Sequence, residues 1–289
     1  MFNFGSAPYS PPVMAKKHTP KALFLTVSIA LIVICSLWAA GCLTPESENR
    51  QVSVNIGNSD DELLNVILPR EIPSQTKAYE GFFVSFNEQN KTPNYVSWEL
   101  LGSETDGEAS RKDEKFWQDT SISGCPNTSD YTRSGYDRGH MYPAGDAKWS
   151  PESMRQCFSM ANMTPQEHSL NAGAWKTLEE KERIWAKRDG SLIIVAGPIY
   201  QPGDDKTIGE ANVRVPSAFF KVILAPKADN PRAIGFVYPN SHCPGNMKNY
   251  SCSVDYVEQL TGYDFFSALP DDIENTLEAN YSFNDWNRR

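Results

Sequence analysis

A chain of 289 residues with 40% hydrophobic and 11% aromatic side chains can bury a core, which excludes a disordered protein. Its formal net charge of −9 argues against a uniformly basic nucleic-acid binder. Residues 130–190 nevertheless carry nine Lys/Arg against nine Asp/Glu, so a local electropositive cleft remains compatible with the sequence.

In chain order, the first predicted element is residues 22–41, an apolar run without a charge that follows Lys16, Lys17 and Lys21. A basic stretch before an apolar one is a targeting signal, and this run is long enough to cross a bilayer as an anchor. It ends in Trp38-Ala-Ala-Gly-Cys42, which is similar to a bacterial lipobox, although Ala39 stands where Leu is commoner. We therefore expect an exported, membrane-anchored bacterial lipoprotein facing the periplasm or the cell surface, with 1–41 as the targeting segment. An uncleaved anchor and a cleaved signal are the alternatives, and Met14 is a second candidate start. Residues 42–76 are polar and read as a tether, which leaves 77–289 as the globular domain.

Strands are predicted at 79–86 and 95–101, joined by the turn-rich 87–94, and again at 191–196, 219–224 and 233–238. A helix is predicted over 170–187, where Ala174, Trp175, Leu178 and Trp185 form an apolar stripe and Glu179 and Arg183 a surface i,i+4 pair. Thr164-Pro-Gln-Glu167 is a capping-box pattern, so that helix starts either there or a few residues later. A second helix covers 254–260 and ends at Gly262. The fold class expected is α+β, a mixed or antiparallel sheet with one long central helix. Cys125, Cys157, Cys243 and Cys252 are an even number in an exported domain, so disulfides are expected. Cys243–Cys252 is the easy loop and Cys125–Cys157 the remaining pair, though spacing does not fix the connectivity. The absence of C-x-x-C disfavours a zinc ribbon.

The chemistry concentrates in Asp137-Arg-Gly-His140. A histidine titrating near neutrality is the usual general base, and His140 has an Asp, an Arg and a flexible Gly beside it. Taken alone, the tetrapeptide reads equally well as a surface turn. His168 lies among polar residues and reads as solvated, and His242 as a loop residue. Asn171 and Glu179 are eight residues apart, two turns on neighbouring faces of one helix, so an amide oxygen and a carboxylate can serve one cavity. Asn162 and Asn171 could separately be turn caps.

Together, Asp137–His140, 158–166 (FSMANMTPQ), 170–175 (LNAGAW), Glu179 and 197–200 (GPIY) resemble the DNA/RNA non-specific endonuclease family, which includes mitochondrial endonuclease G. The likeness runs from about residue 79 to 269. It implies a ββα-metal active site carried on a strand-loop and the long helix. It also implies His140 as general base, Asn171 as the protein ligand of Mg²⁺ (Mn²⁺ able to substitute) and Glu179 as organiser of metal-bound water. Arg138 and Asn162 take supporting roles, and Arg111 loosely occupies the place of the family's upstream arginine. The partners implied are DNA and RNA met through phosphates. The membrane would be met through an N-terminal lipid or anchor, and a homodimer is a further expectation. The rival functions are a phosphodiesterase acting on small nucleotides, which suits the acidic chain, and an inactive nucleic-acid-binding surface lipoprotein.

Overall fold

The computed structural model describes residues 60–288, and the targeting run of 22–41 lies outside them. Among the described residues no helix is long and apolar enough to cross a membrane. The scaffold is one seven-stranded sheet built from β1 (Gln75–Tyr79), β2 (Phe82–Asn87), β3 (Thr92–Leu101), β6 (Ser191–Ile199), β7 (Ala218–Ala225), β8 (Arg232–Pro239) and β9 (Ser251–Cys252). Its order is β9-β8-β7-β6-β3-β2-β1 and every neighbouring pair is antiparallel.

β6 and β7 are buried along their whole length because both faces of the sheet are covered. Alternation along β7 divides the faces. Phe219 and Lys221 meet Trp175 and Glu182 on one side, while Phe220 meets Tyr263 and Phe265 on the other. The first side carries helix α2 (Lys176–Asp189), whose buried Leu178 and Trp185 continue the predicted stripe. The second side carries α3 (Val254–Thr261) and α4 (Asp271–Ala279). Helix α3 starts with Ser253 Oγ accepting from the Tyr256 amide and stops at Gly262, whose φ of 73° is left-handed, as predicted.

Beside the sheet, β4 (Asp137–His140) and β5 (Met163–Gln166) form a separate antiparallel pair with His140 opposite Met163. A widened turn, Leu170–Trp175, leads from this pair into α2. The result is an α+β fold containing a ββα unit. Helix α1 (Pro151–Cys157) bridges β4 and β5, with Ser150 capping it.

Several local expectations are corrected. Residues 164–166 are strand, not a helix start, because they pair with Asp137–His140; the Glu167 carboxylate instead accepts from Ser169 N at 2.7 Å. The helix over 170–187 is interrupted at Gly173, whose φ and ψ of −110° and −107° are not helical, so Asn171 and Glu179 do not share one continuous helix. The strand predicted at 79–86 is broken by the β1–β2 turn, with Tyr79 opposite Phe82, and the β2–β3 turn closes earlier than 87–94, because Asn87 Oδ1 takes the amides of Gln89 and Asn90. Folded chain is already present inside the 42–76 range: Leu63 and Val66 are buried, and Val66–Ile67 pairs with Asp264–Phe265. None of the four cysteines is in a disulfide. Each is buried at its own place in the fold, with Cys157 donating to Met154 O at 3.1 Å and Cys243 to Ser241 O at 3.3 Å. Burial pushes the Cys125 and Cys243 thiols up to about 12 and about 11, which suppresses the thiolate that exchange requires.

Candidate active site

The ββα unit forms one wall of an open cavity of about 820 Å³. Arg111, Arg138, His140, Asn171, Glu179 and Arg183 all line it. The fold thus brings together four of the expected residues from β4 and the α2 region, and adds Arg111 from a short helical turn, Arg111–Asp113.

His140 sits at the end of β4 because the strand requires Gly139. A Cβ at that position would lie 2.4 Å from Gln166 Oε1 and 2.6 Å from Gln166 Cβ, so any larger residue would push β4 off β5. The imidazole rests edge-on to Phe158 with ring centroids 5.0 Å apart, and 5.6 Å from Phe116. Its Nε2 is buried and has no partner among the described residues, which leaves Nδ1 as the nitrogen that can meet the cavity. Burial, followed by the charge of Arg111, holds its pKa down at about 3, so the imidazole is neutral at physiological pH.

The arginines are placed by aromatic faces. Arg111 lies over Phe158 at 5.6 Å, and Arg138 over Phe116 at 5.2 Å with Nη2 donating to Thr128 O at 2.6 Å. Asn162 does not line the cavity. It is wholly buried: its Nδ2 donates to Tyr142 O and Cys157 O, and its Oδ1 accepts from Tyr142 N. With every polar atom used, it fixes the chain that leaves His140 and can touch no substrate.

Asp137, expected only as a neighbour of His140, serves Asn171 instead. Its Oδ2 accepts from Asn171 Nδ2 at 2.8 Å and lies 2.9 Å from His168 Nδ1. The Asn171 amide nitrogen is therefore committed, and its oxygen is the atom left to offer. The signal was available in strand alternation, which turns Asp137 to the opposite side of β4 from Arg138 and His140. His168 is exposed, as expected, yet it is tied to Asp137.

Beneath the cavity the protein buries a charged network. Lys221 Nζ lies 2.8 Å from Glu182 Oε2, with both side chains fully buried, and 4.7 Å from the centroid of Trp175. Arg183 does not form the expected surface pair with Glu179; it donates to Asp146 Oδ1 at 2.8 Å, because Asp146 is buried and, among the described residues, its side chain is otherwise held only by Trp98 Nε1 at 3.1 Å. Asp146, Glu179 and Glu182 thus outnumber Arg183 and Lys221 by one charge. Burial pushes the half-buried Glu179 up to about 8, against the pull of Lys221. A neutral amide oxygen and an under-compensated carboxylate on one cavity suit a hard, largely hydrated divalent cation, so the residues present fit Mg²⁺.

The rim reverses the sign of the whole chain. Arg111, Arg138, Lys148, Lys176 and Arg183 face Glu108, Asp137 and Glu179 across the cavity. Setting aside Arg183, which is paired with Asp146, four cations stand against three carboxylates, so the cavity is locally less acidic than a protein of net charge −9.

Comparison with known proteins places the chain in a family. The profile of the DNA/RNA non-specific endonuclease family matches residues 59–272. The mitochondrial nuclease EXOG of Danio rerio is 34% identical over 215 residues, covering 69% of this chain and 63% of that protein. A nuclease of Nostoc sp. is 31% identical over 265 residues, covering 87% of this chain and 94% of its own. The crystal structure of the EndoG/EndoGI complex aligns with a TM-score of 0.65 at 27% identity, over 74% of this chain and 94% of that one. The chain spans about three fifths of the length of the EXOG relatives. Since the profile's range contains every residue gathered at the cavity, the chain belongs to the DNA/RNA non-specific endonuclease family.

Proposed function

We propose that the protein is a Mg²⁺-dependent endonuclease that hydrolyses phosphodiester bonds of DNA and RNA with little sequence or sugar preference, Mn²⁺ being able to replace Mg²⁺. The observation that carries this reading is the convergence of His140, Asn171, Glu179, Arg111 and Arg138 on one cavity with a cationic rim. His140 accepts the proton of the water that attacks phosphorus, as a neutral imidazole can. Burial is the main cause of the lowered His140 pKa, and a phosphate beside Arg111 would offset only the smaller contribution of that arginine. Arg111 and Arg138 face the charge that grows on the phosphoryl oxygens. Asn171, oriented by Asp137, would hold the ion, and Glu179 would order the ion's waters. Mg²⁺ supplies Lewis-acid charge at the phosphate when bound. Asn162 acts at one remove by fixing the backbone after His140.

These groups address phosphate and not base edges, which supports activity on both nucleic acids without sequence preference. The cationic rim favours a polyanionic substrate over a small nucleotide. We extend the proposal to location: residues 22–42 carry the chain through export and hold it at a membrane. The test of function is incubation of the purified protein with supercoiled plasmid and with single-stranded RNA, in Mg²⁺ and in EDTA. Cleavage of both polymers in Mg²⁺ alone supports the proposal. Turnover of a chromogenic small phosphodiester without attack on either polymer overturns it.

A further inference from the structure

On the sheet face opposite α2, three carboxylates from two helices converge. Asp255 and Glu258 lie three residues apart on α3, hence on one face of that helix, and Glu278 is on the last turn of α4. One oxygen from each lies within 4.8 Å of the other two. α3 is seated tightly on the sheet: a Cβ on Gly235 of β8 would come within 2.8 Å of Val257 Cγ2.

Burial alone does not explain the cluster. Glu278 is 6% exposed, yet its Oε1 has no hydrogen-bond partner among the described residues. Glu258 is fixed in place because its Oε1 accepts from Phe265 N at 2.9 Å. Among the described residues, no lysine or arginine forms an ion pair with any of the three. Asp264 and Glu274 add further acidic groups nearby.

Such a group can be neutralised by shared protons or by a cation. A shared proton would draw two carboxylates to roughly 2.5–2.7 Å. No hydrogen bond links the three carboxylates among the described residues. Their oxygens are instead spread over a span that one Ca²⁺ reaches, since two opposed Ca–O bonds of roughly 2.3–2.6 Å cover about 4.6–5.2 Å. All the donors are hard oxygens, the set Ca²⁺ takes with waters completing its shell.

We propose that Asp255, Glu258 and Glu278 form a structural Ca²⁺ site that fastens α4 to α3, separate from the ion of the active site. The test follows the thermal unfolding midpoint of the full-length protein at pH 8 with CaCl₂ as the sole divalent ion. At about 10 mM Ca²⁺, roughly a hundredfold above a Kd of 10⁻⁴ M, the expected rise in Tm is about 5–10 °C. The rise persists in Asn171→Ala, which removes the proposed active-site ligand. It disappears in Asp255→Asn and in Glu278→Gln, and Glu278→Gln, which removes one ionisable member of a crowded acidic cluster, unfolds no lower than wild type in EDTA. Plasmid cleavage by Asp255→Asn at 25 °C stays at the wild-type rate. A wild-type Tm unmoved by Ca²⁺ overturns the proposal, as does a shift that survives in Glu278→Gln or vanishes in Asn171→Ala.

Discussion

Asp137→Asn isolates the one interaction that aims the proposed metal ligand. The Asn171 amide donates to Asp137 Oδ2 at 2.8 Å, and Asn171 keeps only its oxygen for the cavity. A hydrogen bond to a charged group contributes about 1.5–3 kcal/mol net. The Asp137 side chain is 33% exposed, so the lower end applies, about 1.5 kcal/mol, or about tenfold in affinity. An asparagine at 137 has the same shape, but its amide can donate to the Asn171 oxygen and compete for the atom that would hold the ion. The Mg²⁺ concentration for half-maximal plasmid cleavage is therefore expected to rise about tenfold, near the bottom of the range for groups that orient a ligand. The rate at saturating Mg²⁺ should recover. The assay is a Mg²⁺ titration of plasmid nicking beside His168→Ala, whose exposed ring shares Oδ2 at 2.9 Å and whose loss should leave the curve in place. An unmoved Mg²⁺ curve in Asp137→Asn, with only the saturated rate reduced, refutes the orienting role.

Three further outcomes are expected. Lys221→Met leaves Glu182 buried without its partner and should lower stability by about 3–5 kcal/mol in urea unfolding, while Lys221→Met with Glu182→Gln recovers most of that loss; equal loss in both variants would remove charge as the cause. Glu179 has a folded pKa of about 8, above its ordinary value of 4.5, so in EDTA its carboxyl favours the folded state least at high pH: stability falls as pH rises from 4.5 through 8. Glu179→Gln should flatten that part of the profile, read as urea midpoints between pH 5 and pH 9, and an unchanged profile would assign the slope to other groups. Cys42→Ser should release the protein from membranes if Cys42 is lipidated, as the residues before it lead one to expect; a full-length variant that still sediments with membranes would favour the uncleaved anchor.

The sheet strands were legible because burial on both faces leaves continuous apolar runs, as in 191–196 and 219–224. That His140, Arg138, Asn171 and Glu179 line one cavity was expected from the family resemblance and not from spacing, since the helix breaks at Gly173 between the last two, and Arg111 lines the same cavity despite its loose alignment. What stayed hidden depends on pairing across the chain. The capping pattern at 164–167 lost to a β-ladder with Asp137–His140, because tertiary pairing satisfies the same amides more fully. The Glu179–Arg183 spacing suggested a surface pair, but Asp146, thirty-seven residues from Arg183, is the buried charge that needs the guanidinium. Asn162 looked like a site residue by motif, and only its three buried hydrogen bonds reveal a clamp. Neither Lys221 inside the sheet nor the meeting of Asp255 with Glu278 has any local signature.

The central claim is that His140 is the base in a metal-assisted cut, and the most direct measurement is the cleavage rate of His140→Ala on plasmid at saturating Mg²⁺. The variant should fold, since the imidazole makes ring contacts but no hydrogen bond from Nε2. Its DNA affinity, read by gel shift in EDTA, should match wild type because the cationic rim is intact. Its cleavage rate should fall by roughly 10²–10⁴-fold. A folded, DNA-binding His140→Ala that cuts at near the wild-type rate would contradict the account.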